Sequence, residues 1–237
     1  MNIKERIYFL IGLFASLAGL VTGGVLMTGY YEPETKLIAN TPLCSAFGWL
    51  LALSALFLLS GLWVLKKGSA SRRMPAPNGG VMFFGSLTGL FVLAIFILTL
   101  YTGRGAVTNA IGTAAAQAVS RRIVFTGLIA SSVFCSGYFL CVSILRRVHH
   151  AVAGLLGVGA MLWCIFYTIS VYFDMTYALS SPVRILNMLC SLCMLMYLTA
   201  EIRFFLHYAK PHQYFVFSFL LILFACAYSI PRCIYDF

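Results

Sequence analysis

The sequence predicts an all-α integral membrane protein with seven transmembrane helices, a cytoplasmic N-terminus and an external C-terminus. Three observations lead there. Apolar residues make up 62% of the 237-residue chain and charged residues 9%, against roughly 45–50% and 25% in a soluble domain. A soluble fold of this size has no interior large enough for that excess. The apolar residues gather into seven runs, each close to the roughly 20 residues that a helix needs to cross the hydrocarbon core. The runs are continuous, without the period-two alternation of barrel strands, which selects helices. The third observation is that basic residues are shared unequally between alternate loops.

The first run, about 7–29, follows Lys4 and Arg6. It is too long for a signal peptide, and no small-x-small cleavage pattern follows Tyr30 and Tyr31, so it reads as a retained helix. The second, about 43–65, leads into Lys66–Gly80, a basic stretch rich in Gly, Pro and Ser that reads as a solvated connector. The third run covers about 81–101 and the fourth about 123–145. Between them, Gly103–Ser120 is Ala-rich, and Val107, Ile111, Ala114 and Ala118 keep helical spacing. That spacing predicts a short interfacial helix on the outer surface, with a shallow re-entrant excursion as the alternative.

The fifth run, about 151–173, and the sixth, about 183–206, are joined by a tight outer hairpin and so are antiparallel neighbours. Ser181 and Pro182 supply an N-cap and a first-position proline for the sixth. The seventh covers about 213–230. The whole chain, 1–237, reads as a single polytopic membrane domain with no internal repeat and no soluble module.

Small residues recur every three or four positions on several runs: Gly12, Ser16, Gly19 and Gly23 on the first, Gly85 and Gly89 on the third, Gly127 and Ser131 on the fourth. Such faces let helix backbones approach closely. They suit contacts within the chain, with a partner membrane protein, or with a second copy.

Starting from a cytoplasmic N-terminus, alternate loops collect ten Lys and Arg inside and six outside. That asymmetry is the basis of the assigned orientation and of a cell-membrane location. The positive charge suits anionic lipid headgroups. Nucleic acid is not an expected partner, because no soluble basic face exists.

Of six acidic residues, Glu201 alone falls inside a predicted span, where a carboxylate is costly and marks a functional candidate. Arg146 and Arg147 at the end of the fourth helix, with His207, lie at its level and form with it a candidate gate or brace. On the fifth helix Trp163, Tyr167, Ser170 and Asp174 make one stripe, and on the sixth Asn187, Ser191, Met194, Leu198 and Glu201 make another. Tyr167, Asp174, Arg184 and Asn187 are therefore the candidate ligand-binding set, in a polar crevice opening outward. The competing reading is an interface tyrosine, an ion pair and an interhelical asparagine bond.

Cys190 and Cys193 have redox-motif spacing, but no loop carries the second cysteine pair that a membrane thiol oxidoreductase needs. Most other cysteines lie in apolar runs, and Cys44 and Cys233 near the outer surface are the two that an external disulfide would join. No zinc, nucleotide or hydrolase motif is present. No cofactor or metal is expected. The reading favoured is a non-enzymatic small-molecule carrier, or the membrane subunit of a transport assembly. A membrane interaction, assembly or lipid-contacting protein is the alternative, and a thiol oxidoreductase comes last.

Overall fold

The computed structural model describes residues 3–32, 37–38, 41–65, 79–109, 115–144, 150–173, 181–206 and 210–236. Helices dominate: α1 (Ile3–Gly29), α2 (Pro42–Val64), α3 (Gly79–Asn109), α4 (Ala115–Ile144), α5 (His150–Phe173), α6 (Pro182–Phe205) and α7 (Pro211–Phe224). A π-helical segment, Ala225–Ser229, continues α7 into α8 (Ile230–Asp236). Among the described residues, six helical stretches are long and apolar enough to cross a membrane, and α3 contributes a shorter apolar stretch, Met82–Leu98. The protein is thus a helical membrane protein by length and composition.

Helix starts follow local chemistry. Thr41 caps α2, its Oγ1 accepting from the Cys44 amide at 3.3 Å, with Pro42 next in the chain. At α6 the Ser181 carbonyl accepts from the Ile185 amide at 3.2 Å, and Pro182 opens the helix as expected. Between α1 and α2 a two-residue antiparallel ladder forms, β1 (Tyr31–Glu32) against β2 (Leu37–Ile38). Its Ile38 joins the hydrophobic core.

One expectation is corrected. Gly103–Asn109 and Ala115–Ser120 do not form a separate interfacial helix, because the first stretch continues α3 and the second opens α4; residues 110–114 lie outside the described residues. Ala106, Ala115, Ala116 and Ala118 are strong helix formers, and they extend the flanking helices. Cys44 and Cys233 hold free thiols. The connector Lys66–Gly80 lies outside the described residues as far as position 78.

The helices group into two compact units. The first takes Met1–Arg72, Asp174–Ala200 and Lys210–Phe237, and the second Arg73–Phe173 and Glu201–Ala209. In the first unit the glycine face of α1 is buried, with Gly12, Ser16, Gly19 and Gly23 all turned inward. It packs on α7 and its continuation. A Cβ at Gly12 would lie 2.7 Å from Phe219 Cδ1, and one at Gly19 would lie 3.5 Å from the Ala227 Cβ. Partners therefore advance in step, so α1 and α7 run parallel. On α2, Gly61 admits the Tyr8 ring and Val216. Tyr8 also stacks on Phe57 with centroids 4.7 Å apart and bonds Ser60 at 2.8 Å.

The π-helical segment follows from Pro231. Proline lacks the N–H that would bond four residues back, and its ring clashes with the carbonyl there, that of Ala227. A wider turn relieves both, and the Ile230 amide bonds the Ala225 carbonyl five residues back. The Ala227 carbonyl is left facing Gly23, where any Cβ would collide with it and come within 3.3 Å of Pro231 Cγ.

In the second unit the seams are antiparallel. Gly85 and Gly89 of α3 admit Ser143 and Leu140 of α4, and Ser136 Oγ donates to the Gly89 carbonyl at 2.9 Å. Between α4 and α5, Gly127 admits the Phe166 ring, Gly159 admits Phe134 and Gly137 meets Leu156, all on one register. The end of α6 closes on α5 where Ile202 fills the space at Gly157.

Candidate functional site

The polar chemistry of the chain concentrates on one face of α6. Arg184, Asn187, Ser191, Met194, Leu198 and Glu201 recur at three- and four-residue spacing, so they form one stripe along the helix. Every member is buried or half-buried, whereas Ile185, Leu189, Leu192 and Met196 on other faces are exposed. The stripe read from the sequence is the inward face of the helix, and it begins one turn earlier than expected, at Arg184.

The two charges stand out. Arg184 is 3% exposed and Glu201 7% exposed. They are separated by seventeen positions of one helix, about 25 Å at 1.5 Å per residue. Each sits near the end of α6 that the helix dipole disfavours, the cation in the first turn and the carboxylate close to the C-terminus. Burying a charge is costly unless other groups hold it, and both residues do make further polar or electrostatic contacts. Propensity does not explain two such placements on one helix; partners or a task must.

Around the stripe, α6 and α7 are bonded twice in the first unit. Tyr197 and Tyr214 join hydroxyls at 3.2 Å, and Cys190 Sγ lies 3.4 Å from Ser229 Oγ, inside the π-helical segment. One turn on, Arg232 Nη1 donates to Tyr228 Oη at 2.7 Å. Cys193 belongs to the hydrophobic core. The Cys190 and Cys193 pair thus looks like helix packing, with Cys190 committed to a neighbouring helix.

In the second unit, Trp163 and Tyr167 of α5 stack with ring centroids 5.4 Å apart and planes 12° from parallel. Ser170 turns its hydroxyl back to the Tyr167 carbonyl at 2.7 Å. This spends its polarity locally, and the same residue lines a cleft of about 260 Å³ with Val124, Phe125, Leu128 and Phe173. The inward face of α5 is a different stripe, Ala153, Gly157, Ala160 and Cys164, all buried.

No protein family, curated protein or solved structure matches the chain.

The expected ligand set is distributed as follows. Tyr167 belongs to the second unit, and Arg184 and Asn187 to the first, one turn apart on α6. Asp174 lies outside the described residues. So do Arg146, Arg147 and His207, the groups expected around Glu201. Sequence reasoning missed the π-helical segment and its Cys190–Ser229 contact; Pro231, one residue past the expected seventh span, was the available signal. It also missed the apolar cleft, because facing residues on two helices cannot be paired from periodicity alone. Among the described residues no group of three or more His, Cys, Asp or Glu side chains is placed to hold a metal ion.

Proposed function

We propose that this chain is a seven-span membrane protein acting as a small-molecule carrier, or as the membrane subunit of a transport assembly, with the inward face of α6 as its ligand-handling surface. Arg184 and Asn187 are the principal contacts, and Asp174 is assigned the same task. Glu201 acts as a gate or brace, with Arg146, Arg147 and His207 as its candidate partners. The observation that carries the reading is the pair of buried charges on α6, each at the end its own dipole disfavours. Intramembrane ionisable residues that face a protein interior commonly mark substrate or ion pathways.

The parallel seam of α1 and α7 supports seven crossings. Successive spans alternate in direction, so two helices running the same way are an even number of crossings apart. Six crossings would leave the first and last antiparallel. The distribution of Lys and Arg supports an internal N-terminus and an external C-terminus in the cell membrane. A C-terminal reporter active only outside the cytoplasm should report; silence from it together with activity of a cytoplasmic reporter reverses the orientation.

Water access along α6 tests the functional reading. In a background with all eight cysteines replaced by Ser or Ala, Asn187→Cys and Ser191→Cys should react in intact membranes with a charged, membrane-impermeant thiosulfonate. The exposed Leu192→Cys, facing lipid, should stay silent. A hydrated pathway predicts that pattern. Silence at both stripe positions means a dry, packed face and sinks the carrier reading.

A further inference from the structure

The cleft of the second unit is unlike a metabolite site. At about 260 Å³ it falls below the roughly 300–1,000 Å³ typical of small-molecule pockets. Its walls are Val124, Phe125 and Leu128 of α4 and Phe173 of α5, and its one hydroxyl, Ser170, is already bonded to the Tyr167 carbonyl. It offers apolar surface and nothing for a polar solute to bond.

Its position says what fills it. Arg121 and Arg122 precede the apolar run of α4, and Asp174 follows that of α5, so the cleft lies at one edge of the membrane-spanning region. Val124, Phe125 and Leu128 are two to six residues inside that edge, roughly 3–9 Å in depth. The α4–α5 seam closes beside its inner end, where Gly127 admits Phe166. Ile123, Tyr172 and Phe173 beside it are exposed, so the cleft opens toward lipid. Arg122, also exposed, precedes Phe125 by three residues and shares its helix face. A guanidinium at the boundary, one helical turn from a wall of an apolar slot, matches a phosphate joined to an acyl chain.

We propose that this cleft seats an acyl chain of an anionic phospholipid whose phosphate pairs with Arg122. The apolar walls select the chain, and the guanidinium selects the headgroup. It does not rest on the function proposed for α6.

Native mass spectrometry of the purified full chain, with equal dioleoylphosphatidylglycerol and dioleoylphosphatidylcholine added, tests the proposal. Wild type should retain the anionic lipid about fivefold over the zwitterionic one, the preference that one basic residue near an anionic surface supplies. Arg122→Gln should bring the ratio close to unity, and Arg122→Lys should keep most of it. Ser170→Leu, which fills the cleft, should remove the most strongly retained lipid; Val124→Phe serves the same purpose from α4 if Ser170→Leu does not fold. A ratio near one in wild type, a ratio unchanged in Arg122→Gln, or retention unchanged in a folded cleft-filled variant each overturns it. Loss of both lipids equally on filling, with no headgroup preference beforehand, also overturns it, since the slot would then be an annular groove.

Discussion

The two units solve the same packing problem in different ways. In the first, α1 lies parallel to α7, and at Gly23 the obstacle to a side chain is backbone, the Ala227 carbonyl turned out by the π-helical segment. In the second, the helices are sequence neighbours packed antiparallel, and the glycine at 127 faces the tip of the Phe166 ring. A ring can rotate or slide by part of an ångström, whereas a carbonyl fixed in a helix cannot. The first unit is also assembled from three separate stretches including both ends of the chain, so its contacts close the longest loops and form against the larger entropy cost. Tolerance to added volume should therefore be low in the first unit and moderate in the second.

The widest gap should appear at Gly23. Gly23→Ala drives a methyl group into the Ala227 carbonyl, and the expected loss is about 3 kcal/mol, the upper end for overpacking, read by denaturant unfolding in mild detergent. Gly127→Ala meets the tip of the Phe166 ring at 2.5 Å and should cost about 1–2 kcal/mol. Phe166→Leu in the same chain should recover part of that loss, because the obstacle is a side chain. No shortened side chain recovers Gly23→Ala. Equal losses at Gly23 and Gly127 would erase the distinction between the units.

This contrast shows what was legible in the sequence. The face formed by Gly12, Ser16, Gly19 and Gly23 could be read from spacing, and all four are buried. Its partner could not, because periodicity describes one helix and says nothing about which helix meets it or in which direction. The α6 stripe from Asn187 to Glu201 was legible for the same reason. The burial of Arg184 was not, since an arginine in the first turn of a span ordinarily reaches for headgroups. At Gly103–Ser120 the spacing was misassigned where the segment is described: Val107 continues α3 and Ala118 lies in the first turns of α4, and spacing does not distinguish a new helix from an old one prolonged. The π-helical segment is a response to Pro231, just past the expected seventh span, so that one proline, and not composition, was the signal for it.

A glycine that faces nothing makes the control for both units. A Cβ at Gly24, beside Gly23 on α1, would meet no atom within 4 Å. Gly24→Ala should therefore stabilise the protein by about 0.5–1 kcal/mol, the helix-propensity gain alone. A loss at Gly24 comparable to that at Gly23 would mean that α1 tolerates no change at all, and that the Ala227 carbonyl is not what excludes a side chain at Gly23.

The smallest expected effects are those of the polar bonds across each unit. Ser136→Ala removes the bond to the Gly89 carbonyl, but that carbonyl lies inside α3, where the helix already supplies it a backbone donor. Tyr8→Phe removes the bond to Ser60, whose hydroxyl still has the Phe57 carbonyl at 2.6 Å. Neither change strands a buried polar group, so each should cost only about 0.6 kcal/mol, the average for interhelical bonds in membranes. Side-chain bonding is then equivalent in the two units, and the difference between them lies in backbone contact. A cost above about 2 kcal/mol for Tyr8→Phe, measured in the same unfolding assay, would shift the weight of the first unit from its glycine seam to the Tyr8–Ser60 bond.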